Sequence, residues 1–344
     1  MTKTALITGV TGQDGSHLSE LLLKKGYKVF GIIRGQNNPK KTAFQSEFPQ
    51  VKLIEADLTD KASLVRAIEI SQPNEIYNLG AISHVGYSFI NPELTAEVTG
   101  KGVLYMLQAI REAAGEKHIR FYQASTSEMF GGLSYNRPNK GYAEDARFHP
   151  RSPYGVAKLY AHWITKNYRE SYGMFGSCGI LFNHEGERRG PEFVTRKISQ
   201  AVARIKLGKQ DVLELGNLDS KRDWGYAGDY VEGMWMMLQH KTPDDFVLAT
   251  GETHTIREFC QMAFTEIGIE LVWKGSGIDE KGLDKSNGKV LVKINSEFFR
   301  PAEVDILLGN PEKAEKVLGW KRKVDFPALV KRMVKYDLKL MALS

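Results

Sequence analysis

The chain has 344 residues, 42% of them hydrophobic and 26% charged, which is the balance of a globular protein with a continuous core. Its two cysteines, Cys178 and Cys260, lie far apart and form neither a CxxC motif nor a zinc pattern, so we expect reduced thiols and no metal site. The net charge of +6 is spread along the chain without a basic tail. This argues against a nucleic-acid partner and leaves either a solvated basic surface or a positive potential for acidic small ligands.

The first strand candidate follows almost directly on Met1, without the basic and apolar regions of a signal peptide. No apolar run approaches the roughly 20 residues of a membrane-spanning helix. These features predict a soluble, cytoplasmic protein without a membrane partner.

Short apolar runs alternate with helical patterns along the first half of the chain. The strand candidates are Ala5–Thr8, Val29–Ile33, Lys52–Ala56, Glu75–Leu79, Ile119–Ala124 and Ser177–Phe182. The helical stretches between them include Ser16–Lys25, Ala62–Ile70, Thr95–Ala114 and Tyr154–Tyr172. Such alternation predicts right-handed crossovers and a parallel sheet with helices on both faces. The predicted fold class is α/β, an NAD(P)-binding Rossmann-type doubly wound sheet.

The pattern loosens after about residue 183, where a short strand Val212–Leu215, a helix from Asp229 and a strand Phe246–Ala249 follow. The last two elements could return to the first sheet. We therefore predict a Rossmann domain of residues 1–182 plus about 223–250. Residues about 183–222 and 251–344 would form a smaller C-terminal α/β substrate-binding domain. It would lie over the carboxyl edge of the sheet, where doubly wound folds bind ligands.

A glycine motif lies between the first strand and the first helix, where residues 9–15 read Gly-Val-Thr-Gly-Gln-Asp-Gly. Glycines allow a tight turn and close approach of the backbone to a pyrophosphate, and the helix N-terminus offers free N–H groups. A glycine triplet alone is weak evidence, but the strand–turn–helix context supports this interpretation. The residues that we assign to a dinucleotide cofactor here are Gly9, Thr11, Gly12, Gln13, Asp14 and Gly15.

The end of the second strand indicates which nicotinamide cofactor binds. An NAD site usually has Asp or Glu there for the ribose 2′-hydroxyl, whereas this chain has Arg34 and no acid. A guanidinium pairs with a 2′-phosphate, so we predict NADP; the alternative is a solvated loop arginine. After the next two strands, we assign to the cofactor Asp57, Leu58, Leu79, Gly80, Ala81 and Ser83.

A Tyr-x-x-x-Lys motif runs from Tyr154 to Lys158 at a helix start, directly after Pro153. The i, i+4 spacing places the phenol and the ammonium on one helix face. A nearby cation lowers the pKa of a phenol, so the phenolate can accept a hydroxyl proton. The motif alone arises readily by chance. It gains weight from Thr126, which ends an earlier strand and completes a hydride-transfer trio.

Long collinear stretches carry a resemblance to a known family. The Thr-Gly-x-x-Gly-x-x-Gly and Tyr-x-x-x-Lys motifs resemble those of the extended short-chain dehydrogenases/reductases. More narrowly, the chain resembles the GDP-mannose 4,6-dehydratases from end to end. The matching stretches are residues 5–18, 122–131, 150–173, 179–198, 215–238 and 298–314.

The resemblance implies an NADP-dependent lyase reaction that needs a carboxylate at Glu128. In the implied scheme, Tyr154 deprotonates the C4 hydroxyl of GDP-mannose while hydride passes to NADP⁺. Glu128 then removes the C5 proton and protonates the leaving C6 hydroxyl, and hydride return to C6 gives GDP-4-keto-6-deoxymannose. Thr126 would hold O4, and Lys158 would hold the nicotinamide ribose. The related dTDP-glucose dehydratases usually carry Asp where this chain has Ser127, which favours the GDP-mannose branch.

The resemblance also implies ligand roles in the second half of the chain. His184 and Arg189 correspond to cofactor-contacting positions. Arg222 and Arg300 are similar to diphosphate clamps, since arginine matches phosphate geometry, and Glu303 to an acceptor for the GDP ribose. Taken singly, each arginine has a surface salt bridge as its alternative. The implied substrate set is Ser83, Asn183, Val194, Lys197, Arg222, Arg300 and Glu303.

One departure from the family concerns assembly. The family commonly carries Arg-Arg-Ser-Ser after the second strand, where this chain reads Arg34-Gly35-Gln36-Asn37 and has a short loop before Val51. In relatives that loop reaches the cofactor of a neighbouring subunit. The resemblance therefore implies a homodimer through helices Thr95–Ala114 and Tyr154–Tyr172 more directly than a homotetramer.

Two other functions stay open. A nucleotide-sugar reductase or 4-epimerase of the same fold would leave Glu128 unused. A non-catalytic NADP-binding sensor would be expected to lose Thr126, Glu128, Tyr154 and Lys158, and all four are present.

Overall fold

The computed structural model describes residues 2–35, 38–114, 118–132, 140–298 and 306–343. Strands and helices alternate through its first half. Their bounds are β1 (Thr4–Thr8), α1 (Gln13–Lys24), β2 (Lys28–Ile33), α2 (Lys41–Glu47), β3 (Lys52–Glu55), α3 (Lys61–Ser71), β4 (Glu75–Asn78), α4 (Val85–Ile90), α5 (Pro92–Thr95), a π-helical turn (Ala96–Lys101), α6 (Gly102–Ala113), β5 (Arg120–Thr126), a 3₁₀ turn (Ser127–Met129), α7 (Pro153–Tyr172) and β6 (Gly176–Leu181).

The second half has shorter strands. Its elements are β7 (Asn183–Glu185), α8 (Val194–Lys206), β8 (Leu213–Leu215), β9 (Lys221–Arg222), β10 (Trp224–Tyr226), α9 (Ala227–Gln239), β11 (Asp245–Leu248), β12 (His254–Thr255), α10 (Ile256–Thr265), β13 (Leu271–Lys274), a 3₁₀ turn (Gly277–Asp279), β14 (Lys281–Asp284), β15 (Val290–Ile294), a 3₁₀ turn (Ser296–Phe298), β16 (Ile306–Leu307), a π-helical turn (Ala314–Leu318) and α11 (Phe326–Ala342).

Seven strands form one sheet in the order β11-β6-β5-β4-β1-β2-β3, and every neighbouring pair is parallel. The strand order reverses between β1 and β4. Thr8 at the end of β1 is in register with Asn78 at the end of β4, so both strands end at one level. Such a switch point opens a crevice at the carboxyl edge of the sheet.

Helices cover both faces of this sheet. One core cluster joins the sheet to α1 and α9 through side chains such as Leu18, Leu22 and Met234. A second cluster joins the opposite face to α3, α6 and α7 through Leu64, Met106 and Ala161. Burial on both faces explains why the strands are continuous apolar runs without alternation.

The remaining elements pack around a core of their own. Side chains from α8, α10 and α11 meet a four-stranded sheet in the order β13-β14-β15-β8. Small sheets of β7 with β10 and of β12, β9 and β16 connect this core to the carboxyl edge of the large sheet. In the parts of the chain that the structure covers, no helix has both the length and the apolar character needed to cross a bilayer.

The predicted doubly wound α/β fold is confirmed, and the predicted strands differ from the observed ones by one or two residues at an end. The predicted strand at Phe246–Ala249 is β11, an edge strand of the large sheet. The helical stretch predicted at Thr95–Ala114 is confirmed, and a π-helical turn joins α5 to α6 within it. The division into a Rossmann domain and a substrate-binding domain stays a prediction.

Candidate active site

A cavity of about 810 Å³ opens at the carboxyl edge of the seven-stranded sheet. The segments after β1, β4, β5 and β6 line one side, and α8 and β9 line the other. It therefore lies at the switch point of the sheet, which is where doubly wound folds bind their ligands.

The glycine loop forms one end of the cavity. Gly9 has φ +65°, and a Cβ on it would lie 2.9 Å from Gly80 of the neighbouring loop. A Cβ on Gly15 would lie 2.5 Å from the backbone of Val10, so α1 can approach β1 closely only with glycine there. The loop thus brings bare backbone to the cavity wall.

The first turn of α1 faces this loop. Its N-cap, Gly12, provides no side-chain cap, so the first N–H groups of α1 remain available to an anion. Among the described residues, the buried Oε1 atom of Gln13 has no hydrogen-bond partner, although the Nε2 atom of Gln13 donates to the His184 carbonyl. The uncapped N–H groups fit the pyrophosphate of a dinucleotide.

Asp14 and His184 form an ion pair beside the loop. The two acceptors of the His184 ring are the Phe182 carbonyl oxygen, 2.7 Å from Nδ1, and Asp14 Oδ2, 2.9 Å from Nε2. Because both ring nitrogens face acceptors, the ring is satisfied only as an imidazolium. Burial alone would lower the pKa of His184 and raise that of Asp14, but their mutual attraction outweighs it. The pKa of His184 is raised and that of Asp14 lowered.

The Tyr-x-x-x-Lys motif opens α7 on the cavity wall. The Ser152 hydroxyl caps the helix by accepting a hydrogen bond from Gly155 N at 3.0 Å, and Pro153 takes the first helical position. Tyr154 and Lys158 are therefore one turn apart on the face that lines the cavity. Both are buried.

The expected low pKa of Tyr154 was wrong. Burial raises the pKa of the phenol well above its usual value, and the charge of Glu128 raises it further. A hydrogen bond with the Thr126 side chain and the charge of Arg189 act in the opposite direction but do not outweigh burial. Lys158 contributes little because its ammonium points elsewhere, 5.9 Å from the Tyr154 ring.

The Lys158 ammonium donates a hydrogen bond to the Ala124 carbonyl oxygen at 2.6 Å. Burial lowers the pKa of Lys158 to about 8. Gln123 Nε2 donates to the same carbonyl oxygen at 2.9 Å, and Asn78 Nδ2 donates to Gln123 Oε1 at 2.8 Å. A buried polar chain thus runs beneath the cavity to Lys158.

Thr126 ends β5 and caps the 3₁₀ turn that follows. Its Oγ1 atom accepts a hydrogen bond from Glu128 N at 3.3 Å. The half-buried side chain of Glu128 lines the cavity beside Tyr154. A hydroxyl, a carboxylate and a phenol therefore meet at one point, which is suited to proton transfer on a bound sugar.

Basic side chains line the other side of the cavity. The Arg189 guanidinium lies 3.6 Å from the centre of the Phe193 ring, and its Nε atom lies 3.0 Å from Glu185 Oε2. The Lys197 ammonium lies 3.2 Å from the Phe298 ring centre, and burial lowers its pKa. Arg222 is buried on β9. This side of the cavity favours an anionic ligand.

A family model described as GDP-mannose 4,6 dehydratase matches residues 6–333. The chain belongs to this family of dehydratases.

Relatives of that name share about half of the residues. The GDP-mannose 4,6 dehydratase of Drosophila melanogaster is 52% identical over 347 residues, which cover 98% of this chain and 87% of the relative. The protein of that name from Homo sapiens is 51% identical, with coverage of 98% and 92%. The protein of that name from Sinorhizobium fredii is 50% identical, with coverage of 98% and 97%.

Solved structures at lower identity share the fold. A UDP-glucose 4-epimerase of Thermotoga maritima with UDP-glucose superposes with a TM-score of 0.81 at 21% identity, covering 98% of this chain and 99% of the epimerase. DesIV, a dTDP-glucose 4,6-dehydratase of Streptomyces venezuelae with NAD and TYD bound, gives 0.80 at 21% identity, covering 99% and 98%. The dehydratase family therefore shares its scaffold with epimerases.

Most site residues predicted from the sequence lie together on this cavity. They are Gly9, Thr11, Gly12, Gln13, Asp14, Gly15, Leu79, Gly80, Ala81, Ser83, Thr126, Glu128, Tyr154, Lys158, Asn183, His184, Arg189, Val194, Lys197 and Arg222.

The structure does not bring every predicted residue to the cavity lining. Arg34 is exposed after β2. Asp57 accepts hydrogen bonds from the backbone and hydroxyl of Thr59, and Leu58 is buried against Gly80. These three lie outside the lining. Arg300 and Glu303 lie outside the described residues.

Sequence reasoning missed several lining residues, among them Lys40, His84 and Ser125. The His84 ring lies 6.0 Å from the Phe193 ring in an edge arrangement. His84 directly follows Ser83 in the loop after β4, so its position at a strand end was a usable signal. Lys40 carried no such signal, because it lies seven residues beyond β2.

Proposed function

We propose that this chain converts GDP-mannose to GDP-4-keto-6-deoxymannose, as the names of its half-identical relatives indicate. The observation that carries the proposal is the meeting of Thr126, Glu128, Tyr154 and Lys158 on one cavity with a dinucleotide cradle. The enzyme is a lyase because water is eliminated from the sugar, and the hydride that leaves C4 returns to C6, so there is no net oxidation.

The first step is oxidation at C4. Tyr154 accepts the proton of the C4 hydroxyl. Thr126 forms a hydrogen bond to O4 through its hydroxyl, the group that contacts Tyr154 in the structure. The glycine loop and Lys158 would hold a nicotinamide cofactor, which would supply the hydride acceptor for C4 and the hydride donor for C6. Lys158 stays close to Tyr154 on α7 and offers its ammonium to the cofactor ribose.

The second step is loss of water across C5 and C6. The C4 ketone acidifies the C5 proton, which the Glu128 carboxylate removes. The resulting carboxylic acid then protonates the C6 hydroxyl, which leaves as water as the C5–C6 double bond forms. Hydride adds at C6 and C5 takes up a proton from solvent, while Tyr154 releases to solvent the proton that it took from O4. One carboxylate suffices because it gains and gives up the same proton.

The cofactor that we propose is NADP. No acidic residue stands between Lys28 and Glu47, so a carboxylate for a free ribose 2′-hydroxyl is missing from that stretch. The same stretch carries Arg34 and Lys40, whose charges suit a 2′-phosphate. The neighbouring structures crystallised with NAD or NADPH support a nicotinamide cofactor in this cradle.

The deciding experiment incubates the protein with GDP-mannose and NADP⁺ and follows the sugar nucleotide by mass spectrometry. Loss of one water without accumulation of NADPH is the expected result. Glu128→Gln should abolish it, whereas Glu170→Gln, on the exposed side of α7, should not. A C4-inverted product of unchanged mass would instead identify an epimerase, and stoichiometric NADPH consumption in a parallel incubation with NADPH would identify a reductase.

We also propose a homodimer. A contiguous face of α4, α5 and α7 exposes large apolar side chains, including Ile90, Leu94, Val156 and Trp163. Exposed apolar patches of this kind mark protein–protein contacts. Sedimentation should show a dimer that Trp163→Asp dissociates. A tetramer, the other assembly implied by the family resemblance, would require a second surface.

A further inference from the structure

We propose that Lys40 is the residue that recognises the adenosine 2′-phosphate of the cofactor and so selects NADP over NAD. This inference rests on the proposed function and names the residue behind its cofactor preference.

The observation behind it is the placement of the basic residues after β2. Arg34 stands directly at the strand end, but it lies outside the cavity lining, and the side chains of Arg34 and Lys40 are both exposed. Lys40 lines the cavity together with Thr11 and Gly12 of the glycine loop. The end of β2 is where doubly wound folds place the adenosine ribose, so a cation in the lining there meets its 2′ substituent.

The backbone of Lys40 is held in place. Its N–H donates to Asn38 Oδ1 at 3.0 Å, and its carbonyl accepts from Phe44 N at 3.0 Å in the first turn of α2. The Phe44 and Phe48 rings are buried against the core and lie 5.0 Å apart. Because α2 is anchored in this way, the Lys40 side chain starts from a defined position at the cavity rim.

Local charges leave Lys40 available to a phosphate. Within the described part of the chain, Lys40 makes no ion pair. Its neighbour Lys41 instead lies 3.9 Å from Glu55 on β3. The first acid after β2, Glu47, is paired with Arg188. An ammonium without a competing carboxylate binds a dianionic phosphate more strongly than a paired one.

The experiment measures the dissociation constants of NADP⁺ and NAD⁺ by calorimetry for the wild type, Lys40→Ala and the matched control Lys41→Ala. Loss of one charge-assisted contact should weaken NADP⁺ binding by Lys40→Ala about 10- to 50-fold and NAD⁺ binding less than about twofold. Lys41→Ala should change neither by more than about twofold. Lys40→Arg should retain the preference for NADP⁺.

The possible results test the role of Lys40 and the choice of cofactor separately. A wild type that prefers NADP⁺ together with a Lys40→Ala variant that keeps this preference would overturn the role of Lys40. A wild type that binds NAD⁺ as tightly as NADP⁺ would overturn the proposed cofactor itself. Equal loss of both cofactors by Lys40→Ala, at an unchanged melting temperature, would mean a general rather than a 2′-specific contact and would also overturn the inference.

Discussion

Ser125 Oγ lies 3.0 Å from His162 Nδ1 directly behind the proposed catalytic residues. Burial lowers the pKa of His162 to about 4, so the ring is neutral at physiological pH. Its Nε2 atom faces Asp245 Oδ2 at 4.0 Å, and the Arg169 guanidinium holds that carboxylate through two hydrogen bonds. With the ring N–H at Nε2 facing Asp245, Nδ1 accepts a hydrogen bond from the Ser125 hydroxyl. This hydrogen bond connects the end of β5, which carries Thr126, to α7, which carries Lys158.

Ser125→Ala and His162→Phe should therefore be coupled. Each removes the same buried hydrogen bond, so the double variant should lose about 1 kcal/mol less free energy of unfolding than the sum of the singles. Urea titration measures this coupling. If the contact positions the catalytic residues, turnover should fall in both variants at an unchanged KM for GDP-mannose. Additive losses and an unchanged turnover would reduce the contact to ordinary packing.

Thr126 should control the pH at which the enzyme becomes active. Its hydrogen bond opposes the effect of burial on the Tyr154 pKa, so Thr126→Val should raise that pKa further. We expect kcat near neutral pH to fall about 10- to 100-fold and the rising limb of the pH–rate profile to move to higher pH. Thr126→Ser keeps the hydroxyl and serves as the control. An unmoved profile in Thr126→Val would contradict this role.

The buried Lys158 ammonium should lower the free energy of unfolding, although we propose that it serves the reaction. The pKa of Lys158 is about 8 in the folded protein and 10.5 ordinarily. Between pH 8 and pH 10.5, Lys158 is therefore protonated in the unfolded chain and neutral in the folded one. Wild-type stability should therefore rise with pH across this window. Lys158→Met should be inactive yet more stable below pH 8, by on the order of 2 kcal/mol, and this gain should shrink as the pH approaches 10.5. Chemical denaturation at several pH values tests the prediction, and a Lys158→Met variant less stable at every pH would refute it.

The Asp14–His184 pair should stabilise the protein most in mildly acidic solution. The raised pKa of His184 contributes stability below about pH 6.5 that disappears as the pH rises through the folded-state value. The lowered pKa of Asp14 contributes stability above about pH 3.9 that disappears as the pH falls through its folded-state value. Asp14→Asn should thus lose about 2 kcal/mol near pH 5.5 and less at pH 9. A loss that is constant with pH would show that the pair is not ionised.

Local sequence patterns were enough to predict the central part of the site. The glycine loop, the strand end at Thr126 and the Tyr154–Lys158 spacing each depend on residues close together in the chain. Strand–turn–helix context and helical periodicity place such residues before any long-range contact forms. For the same reason the strands were predicted to within two residues.

Contacts between distant segments could not be predicted in this way. The sequence placed Arg34 at the cofactor because it ends β2, whereas the structure brings Lys40 to the cavity through the anchoring of α2. The bonds of His184 to Asp14 and of His162 to Ser125 join residues 170 and 37 positions apart. The pKa of Tyr154 was expected to be low from its lysine neighbour, but it is raised because burial outweighs that charge.

The sequence by itself thus determined the fold class, the family and the residues that we propose as the catalytic trio, because periodicity and short motifs encode them locally. Only the tertiary structure decided which cation after β2 lines the cavity, which acceptor the Lys158 ammonium contacts and how the buried groups ionise. These properties depend on burial and on the distance between groups from separate elements, and both are set only when the chain packs.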